Sequence, residues 1–179
     1  MTACVQQSLA TDDDTLMYHG QSLLQRVDQA LRARVQAYLQ QHHVATVATS
    51  GSDGIWAAAV FYVSDGCTLY FLSSPGSRHC LNLAHSAQVA LTIQEDYADW
   101  PDIKGVQIEG AVSELAGAEQ QHARSLYGEK FPVVGKLAQA PAAIVKALAK
   151  VRWYKIAPRR LFFIDNAAGF GHRDELDLR

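Results

Sequence analysis

Residues 44–73 carry three apolar runs with almost nothing between them. VATVATS (44–50) and IWAAAVFYV (55–63) flank the turn-rich GSDG, and TLYFLS (68–73) follows a second turn, SDGC. The runs are rich in alanine, β-branched and aromatic residues, and each gap has room only for a tight turn. Parallel neighbours need crossovers of about a dozen residues or more. The chain is therefore committed to an antiparallel sheet, closed most economically as a barrel.

The remaining elements surround that sheet. Ser22 with Gln25 three residues on is a capping box, and Leu24, Val27, Leu31, Val35 and Tyr38 recur every three or four residues, which predicts one amphipathic helix ending near His42 and His43. A short helix is expected after Gly76, then a strand QVALTIQ (88–94), an acidic loop EDYADWPDIKG and a strand VQIEGAVSEL, with Val106, Ile108 and Val112 alternating against Gln107 and Glu109. Helical segments are expected at about 118–127 and 141–150, followed by two short strands, RWYKI and LFFID. Residues 1–20, with Asp12, Asp13 and Asp14, read as a mobile tail, 21–166 as one domain, and 167–179 (AAGFGHRDELDLR) as a second tail. The fold class is mainly β with flanking helices.

Composition narrows the function. With 179 residues, 49% of them hydrophobic, the chain builds one real core. Sixteen basic and 18 acidic residues leave a net charge of −2, which argues against nucleic acid or an anionic membrane as the main partner. Cys4, Cys67 and Cys80 form no CxxC pair. The N-terminus lacks the basic and apolar regions of a signal peptide, and no apolar run approaches the ~20 residues of a bilayer span, so a reducing cytoplasm is the expected setting. Neither GxSxG nor HExxH occurs, and a hydrolase is not supported.

The chemistry concentrates where the third strand stops, at LYFLSSPGSRHCLNLAHSAQVALTI (69–93). The first N–H groups of a helix have no intrahelical partner and carry the positive end of its dipole. Ser73, Ser74 and Ser77 add hydroxyls, Arg78 adds a forked cation suited to phosphate, and Gly76 permits close approach. A plain serine cap beside a solvated arginine would read the same way, and the GxxxxGK[ST] spacing of a P-loop is absent.

The whole arrangement, with SRHCLNLAHSAQVAL as its core, resembles the FMN-binding split-barrel superfamily of the pyridoxamine 5′-phosphate oxidases over about residues 22–165. Arg78-His79, KGVQIEG (104–110) and DNAAGFG (165–171) resemble its YhbP-like branch. The resemblance implies that the strand at 58–62, with Ala59, Val60, Phe61 and Tyr62, lines the flavin ring through its backbone. It implies that Ser73, Ser74, Ser77, Arg78 and His79 take the FMN phosphate, with Asn82 of the following Asn-Leu included in the site. Gln107 would reach the ring from the other subunit of a homodimer. Two departures point away from pyridoxamine-phosphate oxidation itself. The strand AAAVFY lacks the oxidases' basic residues, and their usual lysine after the arginine is His79 here. Some split barrels bind haem through a C-terminal histidine, for which His172 is the candidate.

Other residues carry weaker signals. His42 and His43 end a helix, where a cation complements the dipole, and His79 and His85 lie too far round their helix to share a metal. No metal site is expected unless His172 serves a haem. Trp56 reads as core, Trp100 as a lid or surface anchor, and Trp153 as a residue near the dimer interface. Cys80 reads as a small buried residue or a thiol stabilised at a helix start. The sequence thus points to an FMN-dependent oxidoreductase with no identifiable catalytic acid or base. A haem-binding or haem-degrading barrel, a non-catalytic flavin carrier or sensor, and the deazaflavin F420 as cofactor are the alternatives.

Overall fold

The two tight turns do what their sequences require. Strand β1 (Val44–Gly51) pairs with β2 (Gly54–Asp65) from Val44↔Phe61 to Gly51↔Gly54, and β2 pairs with β3 (Thr68–Ser73) from Tyr62↔Phe71 to Asp65↔Thr68. Gly54 and Gly66 hold φ of 90° and 57° in these turns, the left-handed region that two-residue hairpin loops demand. The structure is a computed structural model and describes residues 12–132 and 141–179.

Three further strands complete a closed barrel. After α2 (Arg78–His85), β4 (Gln88–Gln94) joins the free side of β1, β5 (Lys104–Glu114) joins β4, and β6 (Arg152–Asp165) joins β5. The lower half of β6 then pairs with β3, from Leu69↔Ile156 to Ser73↔Arg152, so that no open edge remains at this seam. RWYKI and LFFID are therefore one strand rather than two. Pro158, which has no N–H to give, sits at the register shift opposite Glu109 and Gly110, and the extra residue is taken up as a bulge.

Alternation puts Ala45, Val47, Tyr62, Phe71, Leu91, Ile93, Ile108, Ile156 and Leu161 inside the barrel. Helix α1 (Asp12–Gln41) packs onto this core with Val35, Tyr38 and Leu39. It begins ahead of the Ser22 capping box, whose side chains fall outside the described residues. Helix α3 (Gly117–Lys130) covers a second cluster of Val63, Tyr70, Leu115, Tyr127 and Trp153, and α4 (Ala142–Leu148) precedes β6. Trp153 is thus a core residue beneath α3, its ring edge-on to Tyr127 at 5.3 Å.

Two expectations are corrected. Trp56 is 41% exposed instead of buried: it shares the inward side of β2 with Val60 and Tyr62, opposite the buried Thr49 of β1, but lies at the end of the barrel, where the Arg78 guanidinium covers its ring. The C-terminal segment is not a loose tail. Strand β7 (Arg173–Glu175) adds to β6, the Leu176 N–H donates to the Leu161 carbonyl at 2.9 Å, and the Leu176 side chain, 2% exposed, joins the barrel core. The Asp177 carbonyl accepts a hydrogen bond from Arg32 on α1.

Among the described residues no helix is long and apolar enough to cross a membrane.

Candidate anion and cofactor site

Strand β3 ends at Ser73 because the next four residues turn the chain into α2. The Ser77 N–H donates to the Ser74 carbonyl at 3.0 Å, and the Ser77 hydroxyl donates to the same carbonyl at 2.8 Å. Ser77 is the N-cap of α2, accepting the Cys80 N–H at 3.4 Å. The first helix amides, on Arg78 and His79, have no backbone partner among the described residues and stay available to an anion.

The side chains around these amides form a compact polar group. His79 Nε2 lies 2.7 Å from Ser73 Oγ and 3.1 Å from Ser77 Oγ, and the two hydroxyl oxygens are 3.3 Å apart. Cys80 is buried beneath them. Burial alone would raise its thiol, but hydrogen bonds with His79, Ser77, Tyr154 and Ser73 overcome this and bring it down to about 7. Tyr154 comes from β6, and burial and the Cys80 contact hold its phenol far above the ordinary range. Arg152 is the register partner of Ser73, so the two side chains share a sheet face, and its guanidinium bonds Glu114 at 3.0 Å. Neither Arg152 nor Tyr154 was recognisable from sequence spacing, because only the β3–β6 pairing brings them here.

The other expected site residues divide. Arg78 reaches back to the β1–β2 turn, donating to the Asp53 carbonyl at 2.8 Å with its guanidinium over the Trp56 ring at 4.6 Å. It therefore has a contact within the fold as well as a place at the helix start. Asn82 is buried and donates to Thr49 Oγ1 at 3.1 Å, pinning α2 to β1. On β2, Val60 and Tyr62 point into the core, the Tyr62 hydroxyl donates to the Leu39 carbonyl at 2.8 Å and its N–H to the His43 carbonyl at 3.0 Å, so the backbone groups of Tyr62, and of Val60 two residues before it, face β1 and not a ligand at the outer edge. Ala59 and Phe61 face outward, and β3 pairs β2 only from Tyr62 onward, so that among the described residues the edge from Gly54 to Phe61 has no strand partner on that side. Tyr127 donates to one group on that strand, the Phe61 carbonyl, at 2.7 Å.

Gln107 lies elsewhere. It lines a cavity of about 370 Å³ on the outer face of β1, β4, β5 and β6, with Ala48, Ala90, Phe162 and Arg173 among its walls and none of the Ser/Arg loop residues. Arg173, which sequence reasoning missed, donates to Gln107 Oε1 at 3.5 Å and stacks on Phe162 at 4.6 Å. His172 is engaged by Asp174 at 3.0 Å. No group of three or more His, Cys, Asp or Glu side chains among the described residues could hold a metal ion.

The fit of Asn82 is tight enough to test. A Cβ added at Gly51 would lie 2.2 Å from Asn82 Oδ1. Gly51→Ala is expected to cost about 1–3 kcal/mol by overpacking and to loosen α2, and with it the anion loop. Thermal unfolding and hydrogen exchange of the α2 amides check this. An unchanged melting temperature would mean that Asn82 moves aside freely.

Comparison with known proteins places the chain in a family and a fold. The pyridoxamine 5′-phosphate oxidase family model matches residues 31–165. A UPF0306 protein of Klebsiella pneumoniae is 32% identical over 79% of this chain and 89% of its own length, and the UPF0306 protein YhbP of Escherichia coli O157:H7 is 29% identical over 78% and 88%. Among solved structures, the haem storage protein HutZ of Vibrio cholerae superposes with a TM-score of 0.60 at 19% identity, covering 78% of this chain and 95% of its own. An FAD-binding protein of Mesorhizobium loti gives 0.53 at 16% identity, covering 72% and 88%. These structural likenesses establish the split-barrel fold.

Proposed function

The chain belongs to the pyridoxamine 5′-phosphate oxidase family, in its UPF0306 (YhbP) branch, and on that premise we propose that it binds FMN and acts as a flavin-dependent oxidoreductase on a small molecule. The observation that carries the reading is the loop 73–79. It combines free helix amides, the Ser73 and Ser74 hydroxyls and an arginine at the helix start, a donor set suited to a phosphate monoester, while the Ser77 hydroxyl is spent on the Ser74 carbonyl. The unpaired edge of β2 beside it offers backbone groups to the rim of a flat ring. The residues present therefore fit the cofactor.

When bound, FMN would supply the redox chemistry. Ser73, Ser74 and Arg78 would hold its phosphate, and the outward backbone of Ala59 and the N–H of Phe61 would orient the ring, the Phe61 carbonyl being taken by Tyr127 and the Tyr62 N–H by His43. Phe61, whose ring lies 5.6 Å from that of Phe131, would shield one side from water. No side chain of the site stands out as a proton donor or acceptor to substrate, so the reading assigns binding and orientation only. The absence of basic residues on the outward face of β2 speaks against pyridoxamine phosphate as the substrate.

Titration of the purified protein with FMN, followed by flavin absorbance and fluorescence, tests the cofactor. Saturation at one FMN per chain is the expected result, with riboflavin binding more weakly because it lacks the phosphate. Failure to bind FMN at micromolar concentration overturns the reading. A Soret band that disappears in His172→Ala would establish haem in its place, as the haem storage protein HutZ has the same fold. Binding of F420 in preference to FMN would reassign the cofactor. FMN binding without consumption of reduced nicotinamide or any donor would leave a flavin carrier or sensor.

The proposal includes a homodimer. Ile55 and Phe61 on β2 are 79 and 59% exposed, an apolar outer face that a partner would cover. Light scattering should give about twice the 19.6 kDa chain mass. A clean monomer that still binds flavin would refute the dimer.

A further inference from the structure

The loop at 73–79 meets a second cation from the far half of the chain. Ser73 of β3 lies directly opposite Arg152 of β6, and Glu114 of β5 lies directly opposite Tyr154. Directly opposed residues of an antiparallel pair point to one face with Cα atoms about 5 Å apart, and residues two apart on a strand share that face. Ser73, Arg152, Tyr154 and Glu114 therefore stand in one patch. Cys80 closes it from α2, hydrogen-bonded to both Ser73 and Tyr154, and the Tyr154 phenol is within electrostatic reach of Arg152 and Glu114. An arginine side chain is longer than the spacing between opposed residues, so the Arg152 guanidinium can swing to the Ser73 hydroxyl.

Charge gives that arginine a task. A phosphate monoester carries about −1.5 to −2 at neutral pH. Arg78 is the one arginine or lysine of residues 73–79, and it already donates to the Asp53 carbonyl. The Arg152 guanidinium uses Nη1 on Glu114 at 3.0 Å, in a pair whose two side chains are about half-exposed. Exposed pairs of this kind contribute little, so the bond is readily given up for a forked, charge-assisted one to phosphate. We infer that Arg152 is the second cation of the phosphate site, held by Glu114 until an anion draws it across. The inference rests on the phosphate-site reading above. Glu114 competes with the anion for the guanidinium and also repels it. Loss of Arg152 therefore weakens anion binding, whereas loss of the Glu114 charge strengthens it. A purely structural pair would behave otherwise, since breaking it from either side would disturb β5 and β6 alike and shift affinity in one direction.

The test measures FMN and riboflavin dissociation constants, at one pH and ionic strength, for the wild type, Arg152→Ala, Arg152→Lys and Glu114→Gln. Arg152→Ala should weaken FMN about tenfold, the lower end for loss of a charge-assisted bond, and Arg152→Lys should lose less. Glu114→Gln should tighten FMN about two- to fivefold, the part of the affinity otherwise spent on breaking an exposed ion pair. Riboflavin, which lacks the phosphate, should respond to none of the three. Melting temperatures without ligand should stay within about 2 °C of wild type, because the pair is exposed. FMN bound by Arg152→Ala as tightly as by the wild type overturns the inference and leaves the flavin reading standing. A Glu114→Gln variant that weakens FMN or leaves it unchanged also overturns it, as do equal losses for riboflavin. If the wild type fails to bind FMN, phosphorus NMR titration with inorganic phosphate separates the two ideas. Phosphate binding that Arg152→Ala weakens and Glu114→Gln strengthens retains the second cation and rejects the flavin. Phosphate binding indifferent to both variants, or none at all, rejects both.

Discussion

Leu176→Ala is expected to destabilise the protein by about 3–4 kcal/mol, the range for emptying a buried leucine site, and to lower the melting temperature by roughly 10 °C. The segment that carries it looked on sequence grounds like a tail whose loss would leave the unliganded fold unchanged. The structure gives the opposite expectation. Leu176 lies with the barrel core residues, its N–H is bonded to Leu161, and the preceding β7 is hydrogen-bonded along β6. Asp174→Ala, in the same strand but outside that core, should shift stability far less, which separates loss of core packing from general disturbance of the strand. A melting temperature within about 2 °C of wild type for Leu176→Ala would show that the segment detaches in solution.

The second large effect concerns the ligand. Arg78→Ala should weaken FMN by about ten- to a hundredfold, the equivalent of losing a charge-assisted hydrogen bond of roughly 1.5–3 kcal/mol. Riboflavin affinity should hardly change. Because Arg78 also bonds the Asp53 carbonyl and covers Trp56, the unliganded protein should lose a little stability, about 0.5–1 kcal/mol for an exposed cation–π contact. Arg78→Lys should keep the charge but lose the fork and fall between the two. Equal losses for FMN and riboflavin would show that the arginine serves the β1–β2 turn and not the phosphate.

Local chemistry was legible in the sequence, and long-range pairing was not. The tight turns at 51–54 and 65–68 fixed the antiparallel sheet, and the Ser77 cap and the α2 start lie where the loop SSPGSR puts them. Nothing local told which strand would close the barrel, so Arg152 and Tyr154 remained invisible beside Ser73. Alternation sets Trp56 on the inward side of β2 with Val60 and Tyr62, and no local pattern told that its rung lies at the exposed end of the barrel. Pro158 resembled a strand break because a bulge leaves no pattern in one sequence. The core contact of Leu176 follows a strand of three residues, too short for any periodicity to announce it.

The Ser73↔Arg152 rung joins segments from opposite halves of the chain and is the last rung of the barrel's closing seam. Hairpins β1–β2 and β2–β3 can form early, since their loops are short, whereas the seam has to wait for β4, β5 and β6 to be laid down. A ligand held by Ser73 and its neighbours has no complete site until that wait is over. A ligand bound there would be excluded from the early steps of folding and would act afterwards as a latch across the seam. Its effect should appear in the rate of unfolding and leave the rate of folding unchanged.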